Sequence, residues 1–123
     1  MTRTQVLIVE DEGVVALDLQ SSLEGLGYEV PVVVPSGQEA LEEAERTRPD
    51  LVLMDIRMPK MDGLEATRQI RLFNKDVIII AQTAYALNSD RQMAIDSGCN
   101  DYISKPIDKD ELQGLIRKYF IMT

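Results

Sequence analysis

"LVLMDIRMPKMDG", residues 51–63, decides how the chain is read. Four strand-forming residues, Leu51 to Met54, run directly into Asp55, and behind it come two basic residues, two further methionines and a proline before Gly63. An unbroken apolar run of this length suits a strand covered on both faces. A carboxylate at the tip of such a strand is costly unless something there uses it.

Working outward, similar short runs recur at "QVLIV" (5–9), "VPVVV" (30–34), "LVLM" (51–54), "VIIIA" (77–81) and "YIS" (102–104). Helical patterns separate them. Val15, Leu19, Leu23 and Leu26 recur at helical spacing, with Gly25 and Gly27 marking the exit. Ser36 with Glu39, Asp62 with Glu65 and Asp108 with Glu111 are capping-box pairs that open the second, third and fifth helices. Leu112, Leu115, Ile116, Tyr119 and Phe120 give the last helix a clear apolar stripe. The fourth, from about Leu87 to Ser97, has a thin one and is expected to be the most mobile. Five strands alternating with five helices predict a doubly wound α/β domain with strand order 2-1-3-4-5. Its topological switch point lies between the first and third strands, at their carboxyl ends.

With 123 residues, 45% of them hydrophobic, the expectation is a single domain spanning 1–123 with one real core. Thirteen basic against 21 acidic residues leave a net charge of -8, and no Lys/Arg cluster offsets it, which argues against direct nucleic-acid binding. The opening "MTRTQVLIVE" is too short in its apolar run for a signal-peptide core, and no stretch is long enough to cross a bilayer. Together with the lone Cys99 this points to the cytoplasm. The chain has no histidine. A metal site must therefore use oxygen ligands or that one thiol, and a phosphohistidine must belong to another chain.

The predicted topology brings Glu10 and Asp11, Asp55, Gln82 and Thr83, and Lys105 to one edge of the sheet. Three carboxylates within a few ångströms repel one another unless some stay protonated or a cation sits among them. Oxygen-only ligation suggests Mg²⁺, with Mn²⁺ as the substitute. A hard divalent ion, a lysine and a hydroxyl around one aspartate suit phosphoryl transfer, with Asp55 as the nucleophile. Each residue also has a plainer reading. Asp55 could cap a turn, Thr83 could be a strand-end hydroxyl, Lys105 a surface lysine among acids and Tyr102 a core aromatic. Glu10 and Asp11 could cap the first helix.

"VEDE" (9–12), "LMDIRMPKMDG" (53–63), "AQTA" (81–84) and "YISKP" (102–106), in this order, resemble the receiver domain of two-component response regulators from about Val6 to Phe120. The resemblance implies that Glu10, Asp11, Asp55 and the backbone carbonyl of Arg57 hold the metal. It makes Thr83 and Lys105 the residues that contact the phosphoryl group, and Tyr102 the switch aromatic. Pro59 and Gly63 match the turn after the phosphorylated aspartate, and Lys105-Pro106 matches a cis-proline junction. Glu10 stands where many receivers have aspartate, and its longer arm is expected to reach Mg²⁺ through water. Arg57 and Tyr85 fall at variable positions near the phosphoryl site.

The resemblance implies a phosphoacceptor signalling domain, an enzyme only toward its own phosphorylation and dephosphorylation, served by a sensor histidine kinase or a histidine phosphotransfer protein. Thr83 moving inward and Tyr102 filling the space behind it would reshape the fourth helix, fifth strand and fifth helix, a face for a partner or for a homodimer. A cofactor carrier of flavodoxin type does not fit, because "EDEG" (10–13) would repel a phosphate. In a haloacid-dehalogenase-type phosphatase a second aspartate would replace Arg57. The competing class is a receiver-like interaction module that works without phosphorylation.

Overall fold

The computed structural model describes residues 3–84 and 88–120. Five strands, β1 (Gln5–Val9), β2 (Glu29–Val34), β3 (Leu51–Asp55), β4 (Ile78–Thr83) and β5 (Asp101–Ser104), alternate with five helices. These are α1 (Gly13–Gly25), α2 (Gly37–Thr47), α3 (Gly63–Phe73), α4 (Asn88–Ser97) and α5 (Lys109–Tyr119). The strands form one parallel sheet in the order β2-β1-β3-β4-β5, as the sequence predicts.

Strand alternation sends successive residues to opposite faces, and both faces are apolar. Val6, Ile8, Leu51, Leu53, Ile80 and Ile103 meet Leu19 and Leu23 of α1 and Leu112 and Ile116 of α5. Leu7, Val9, Val52, Met54, Ile79 and Ala81 meet α2, α3 and α4 through residues such as Ala40, Ala44, Leu64, Ile70 and Ala94. All five residues of β3 are buried. Fully burying an aliphatic side chain contributes about 1.5–3 kcal/mol, so the central strand is firmly held and its last residue has a fixed position.

The strands run further toward the carboxyl edge than apolarity alone indicates. β3 includes Asp55, and β4 starts one residue later than expected and extends through Gln82 and Thr83. The ladder itself continues there: Asp55 pairs with Gln82 and Thr83 with Ser104. Backbone pairing is indifferent to side-chain polarity, so polar residues are carried into the sheet's edge as ordered strand.

The expected caps form on three helices. Ser36 Oγ accepts from Glu39 N at 3.2 Å, Asp62 Oδ1 from Glu65 N at 2.9 Å and Asp108 Oδ1 from Glu111 N at 3.0 Å. The first helix differs, because its N-cap is Glu12, whose side chain makes no capping bond. Glu10 Oε2 instead accepts from the Glu12 N–H at 3.2 Å. Asp11 is exposed and sits outside the N-cap position. At the far end of the sheet, Arg71 donates to the carbonyls of Gly98 (2.9 Å) and Val77 (2.7 Å) and to Asn100 Oδ1 (2.8 Å), tying α3 to the starts of β4 and β5.

α4 turns Asp90, Ala94 and Ser97 inward, at i, i+4 and i+7, and leaves Met93 and Ile95 exposed. Its thin apolar stripe is therefore a stripe of small and polar groups. The expected start near Leu87 lies outside the described residues.

Gly63, the first residue of α3, packs on the end of β3. A Cβ there would collide with the Asp55 carbonyl oxygen and lie 2.7 Å from Ile56 Cα, both backbone atoms that cannot swing away. Gly63→Ala is expected to destabilise by roughly 2–3 kcal/mol in urea denaturation. Gly114→Ala, inside α5 with nothing within 4 Å of the added methyl, should instead stabilise by about 0.5–1 kcal/mol. Equal effects at the two sites would contradict the close packing described at Gly63.

Candidate functional site

The switch point between β1 and β3 collects the acids. Glu10 follows β1 and Asp55 ends β3; both are buried, at 1% and 3% exposure, while Asp11 faces solvent. One carboxylate oxygen from each of the three lies within 4.8 Å of the others, the acidic cluster found among the described residues. Lys105, just beyond β5, places Nζ 2.7 Å from Glu10 Oε1 and 3.3 Å from Asp55 Oδ2. Its backbone N–H donates to the Thr83 carbonyl at 2.7 Å, and the Lys105–Pro106 peptide bond is cis. The other Asp55 oxygen, Oδ1, accepts from the Arg57 N–H at 3.1 Å.

Burial and the hydrogen bond shared with Glu10 push the Asp55 carboxyl up to about 7, against the opposing pull of the Arg57 N–H and the Lys105 charge. Burial also disfavours the Lys105 ammonium, but its contacts with Glu10 and Asp55 outweigh this and hold its pKa above the ordinary lysine value. One cation thus serves two buried carboxylates, with a third nearby. Such a site retains a proton or takes up a positive ion. Carboxylate oxygens without nitrogen or sulfur fit a hard divalent cation. Glu10, Asp11 and Asp55 could hold it.

Thr83, 1% exposed, ends β4 beside this cluster. Its Oγ1 donates to Asp90 Oδ2 over a long 3.5 Å, and Arg57 Nη2 lies 3.6 Å from Asp90 Oδ1. Tyr102 packs against the core on the α3–α4 side of the sheet, with the Arg91 guanidinium carbon 5.3 Å from its ring centroid. Because Tyr102 pairs with Ala81 and Ser104 with Thr83, Tyr102 and Thr83 belong to neighbouring strands two rungs apart. The expected residues Glu10, Asp11, Asp55, Thr83 and Lys105 therefore come together, and Tyr102 stands one step behind. Tyr85 lies outside the described residues.

Two features were not anticipated. Gln82, expected only as part of the edge, is fully buried, and neither amide atom has a hydrogen-bond partner among the described residues. Asp90 is 7% exposed and faces Thr83 and Arg57 together. The signal for Asp90 was present in its spacing with Ala94 and Ser97, which puts a carboxylate on the inner stripe of an otherwise small-residue helix face. Lys105 also lines a groove of about 590 Å³ between α1 and the turn after β5, where Val14, Val15, Pro106 and Ile107 stand beside Glu12 and Asp18.

Residues 6–117 match the response regulator receiver domain, and the chain belongs to that family: a phosphoacceptor signalling module of two-component systems rather than a conventional enzyme. It is 40% identical over 113 residues to the response regulator MprA of Mycobacterium leprae, covering 92% of this chain and 49% of that protein. The chain thus spans about half the length of that relative. Among solved structures, the receiver domain of the sensor histidine kinase PA1611 of Pseudomonas aeruginosa, with a magnesium ion in its active-site cleft, is 40% identical with a TM-score of 0.86, covering 96% of this chain and 98% of that one. The receiver domain of Ssk1 of Saccharomyces cerevisiae, crystallised with the histidine phosphotransfer protein Ypd1, is 33% identical with a TM-score of 0.89, covering 95% and 88%.

The raised Asp55 pKa has a stability consequence in metal-free protein. The folded state keeps the proton up to about pH 7, whereas the unfolded chain releases it near the ordinary 3.8. Between these values the folded state binds more protons, so this contribution to stability falls as pH rises through the window. Asp55→Asn, which has no charge to bury, should be more stable than the parent at pH 8 by about 1–3 kcal/mol and no more stable at pH 4. Chemical denaturation in chelator at the two pH values measures this. A variant less stable than the parent at pH 8 would reverse the sign.

Proposed function

We propose that this chain, as a single receiver unit over 1–123, accepts a phosphoryl group on Asp55 from a phosphohistidine of another protein. The carrying observation is the buried Asp55 carboxylate, 3.3 Å from Lys105 Nζ and within the oxygen cluster of Glu10 and Asp11. An Asp55 oxygen attacks phosphorus in line, the phosphorus–nitrogen bond to the donor histidine breaks, and the imidazole leaves with the bonding pair. Lys105 and the Thr83 hydroxyl receive the phosphoryl oxygens. Catalysis is mainly positioning and charge neutralisation. Mg²⁺, or Mn²⁺ in its place, held by Glu10, Asp11, Asp55 and the Arg57 carbonyl, would neutralise phosphoryl charge; the magnesium in the PA1611 receiver supports this. Pro106 fixes the turn that carries Lys105.

The donor is a sensor histidine kinase or a histidine phosphotransfer protein, a reading that the Ypd1–Ssk1 complex supports. The donor histidine must come within reach of Asp55, and the groove beside Lys105 is the adjoining surface. Val14 and Leu17 of α1 are 83% and 65% exposed, apolar area that a partner would cover. Output runs through Thr83 and Tyr102 to the α4–β5–α5 face, where Arg91 stacks on Tyr102 and Lys118 pairs with Asp101 at 3.1 Å. That face serves a partner or a second copy. We place the protein in the cytoplasm, without direct nucleic-acid contact; among the described residues no helix is long and apolar enough to cross a membrane. A phosphorylation-independent module is disfavoured because no acid or lysine of the site is missing.

Acetyl phosphate with Mg²⁺ should label the parent, and Asp55→Asn should take up none while keeping its circular dichroism. Asp11→Ala should weaken Mg²⁺ binding by about tenfold or more. Equal labelling of parent and Asp55→Asn would move the nucleophile to another acid and refute the assignment. Leu17→Glu tests the docking face separately: it should slow transfer from a phosphohistidine protein by roughly tenfold, about 1.4 kcal/mol, and leave acetyl phosphate labelling intact. A loss with both donors would place the defect in the chemistry rather than in docking.

A further inference from the structure

Asp90 is a buried carboxylate with a divided role. It lies in the first turn of α4, where the helix dipole favours negative charge, and its two oxygens face different residues. One lies 3.5 Å from the Thr83 hydroxyl and the other 3.6 Å from the Arg57 guanidinium. Thr83 closes β4 and Arg57 stands two residues beyond Asp55, so Asp90 reaches both flanks of the phosphoacceptor from outside the cluster. A carboxylate at 7% exposure is costly unless such groups serve it.

We infer that Asp90 is a positioning residue that holds the unphosphorylated state: its carboxylate keeps the Thr83 hydroxyl and the Arg57 guanidinium, and a phosphoryl group on Asp55 takes them away. This rests on the phosphoacceptor reading above. A phosphoryl group brings a charge of about -1.5 to -2 and three acceptor oxygens, against the single charge of Asp90. A hydroxyl has one proton to donate, so Thr83 cannot satisfy both anions through it. The long contacts to Asp90 suit an exchange of partners, since tight ones would make the switch costly.

The consequence falls on α4. Once its partners turn to the phosphoryl group, Asp90 is a buried charge short of donors and the first turn must move to hydrate it. Little opposes that movement, because the inner stripe of α4 is Asp90, Ala94 and Ser97. The next residue, Arg91, lies over the Tyr102 ring, so displacement of the first turn changes the surroundings of Tyr102 directly.

The test uses beryllofluoride with Mg²⁺ as the phosphoryl mimic, on the full chain. Asp90→Asn is nearly isosteric, keeps an acceptor for Thr83 and loses the charge that holds Arg57. Removing the competitor should tighten beryllofluoride binding by about fivefold or more. Because the variant leaves no unpaired charge behind, the NMR shifts that beryllofluoride produces in the α4 amides should be smaller in Asp90→Asn than in the parent. A merely structural role would weaken binding and scatter the shifts. In a Thr83→Ala, Arg57→Ala background, which has nothing left to hold, Asp90→Asn should change the affinity less than about twofold. Unchanged or weaker binding in Asp90→Asn, beside a parent that binds normally, overturns the latch alone. A parent that binds no beryllofluoride overturns the phosphoacceptor reading, and the competition with it.

Discussion

The pairing of Lys105 with two buried carboxylates is the interaction on which the site depends. Glu10 and Asp55 are brought together because β1 and β3 are adjacent in the sheet and end at the same edge. Neither side chain chooses its position: the ladder places the backbones and the two-sided core excludes water from beneath. Lys105 Nζ, 2.7 Å from one acid and 3.3 Å from the other, is the counter-charge that makes the burial tolerable. It leaves the cluster short of positive charge, with Asp11 adding to the deficit. The same imbalance that costs stability makes the edge receptive to a cation. A fully neutralised cluster would be more stable and chemically inert.

The helices around that cluster are held to the sheet by side chains of unequal size. Behind it, α1 and α5 press Leu19, Leu23, Leu112 and Ile116 into the sheet, large side chains that are almost completely buried. α4 offers Ala94 between two polar residues. Since stabilisation scales with apolar area removed from water, α4 is held to the sheet by smaller apolar side chains than α1 or α5. The helices flanking the site thus differ in the size of the side chains they set against the sheet.

The parallel sheet was legible in the sequence because doubly buried strands have no polar face to maintain, which produced the runs at 5–9, 51–54 and 77–81. The site was legible because a doubly wound sheet has one switch point, and three carboxylates, a hydroxyl and a lysine fell at the strand ends that meet there. The apolar runs stop short of Asp55, Gln82 and Thr83, which the topology nonetheless placed at the strand ends, since apolarity ends before backbone pairing does. Capping of α1 by Asp11 is a fair expectation from residue type, yet the N-cap position belongs to Glu12. Asp90 was missed for a different reason. A search for apolar periodicity discards acids and reads a weak stripe only as loose packing, when the spacing of Asp90, Ala94 and Ser97 already specifies which face turns inward.

Arg57 shows why such a site is read better from its geometry than from a roll of its residues. Its backbone N–H donates to Asp55 Oδ1 at 3.1 Å, while its guanidinium lies 3.6 Å from Asp90. The main chain of this residue therefore holds one oxygen of Asp55 while its side chain faces Asp90. The backbone contact is available to almost any residue at that position, whereas the side-chain contact needs a long cation. Exposed as it is, the Arg57 charge contributes little to stability by itself. Its effect lies in which anion it accompanies. A weak, exposed pair of this kind can be exchanged at little cost to the fold, whereas the buried contacts of Lys105 with Glu10 and Asp55 cannot.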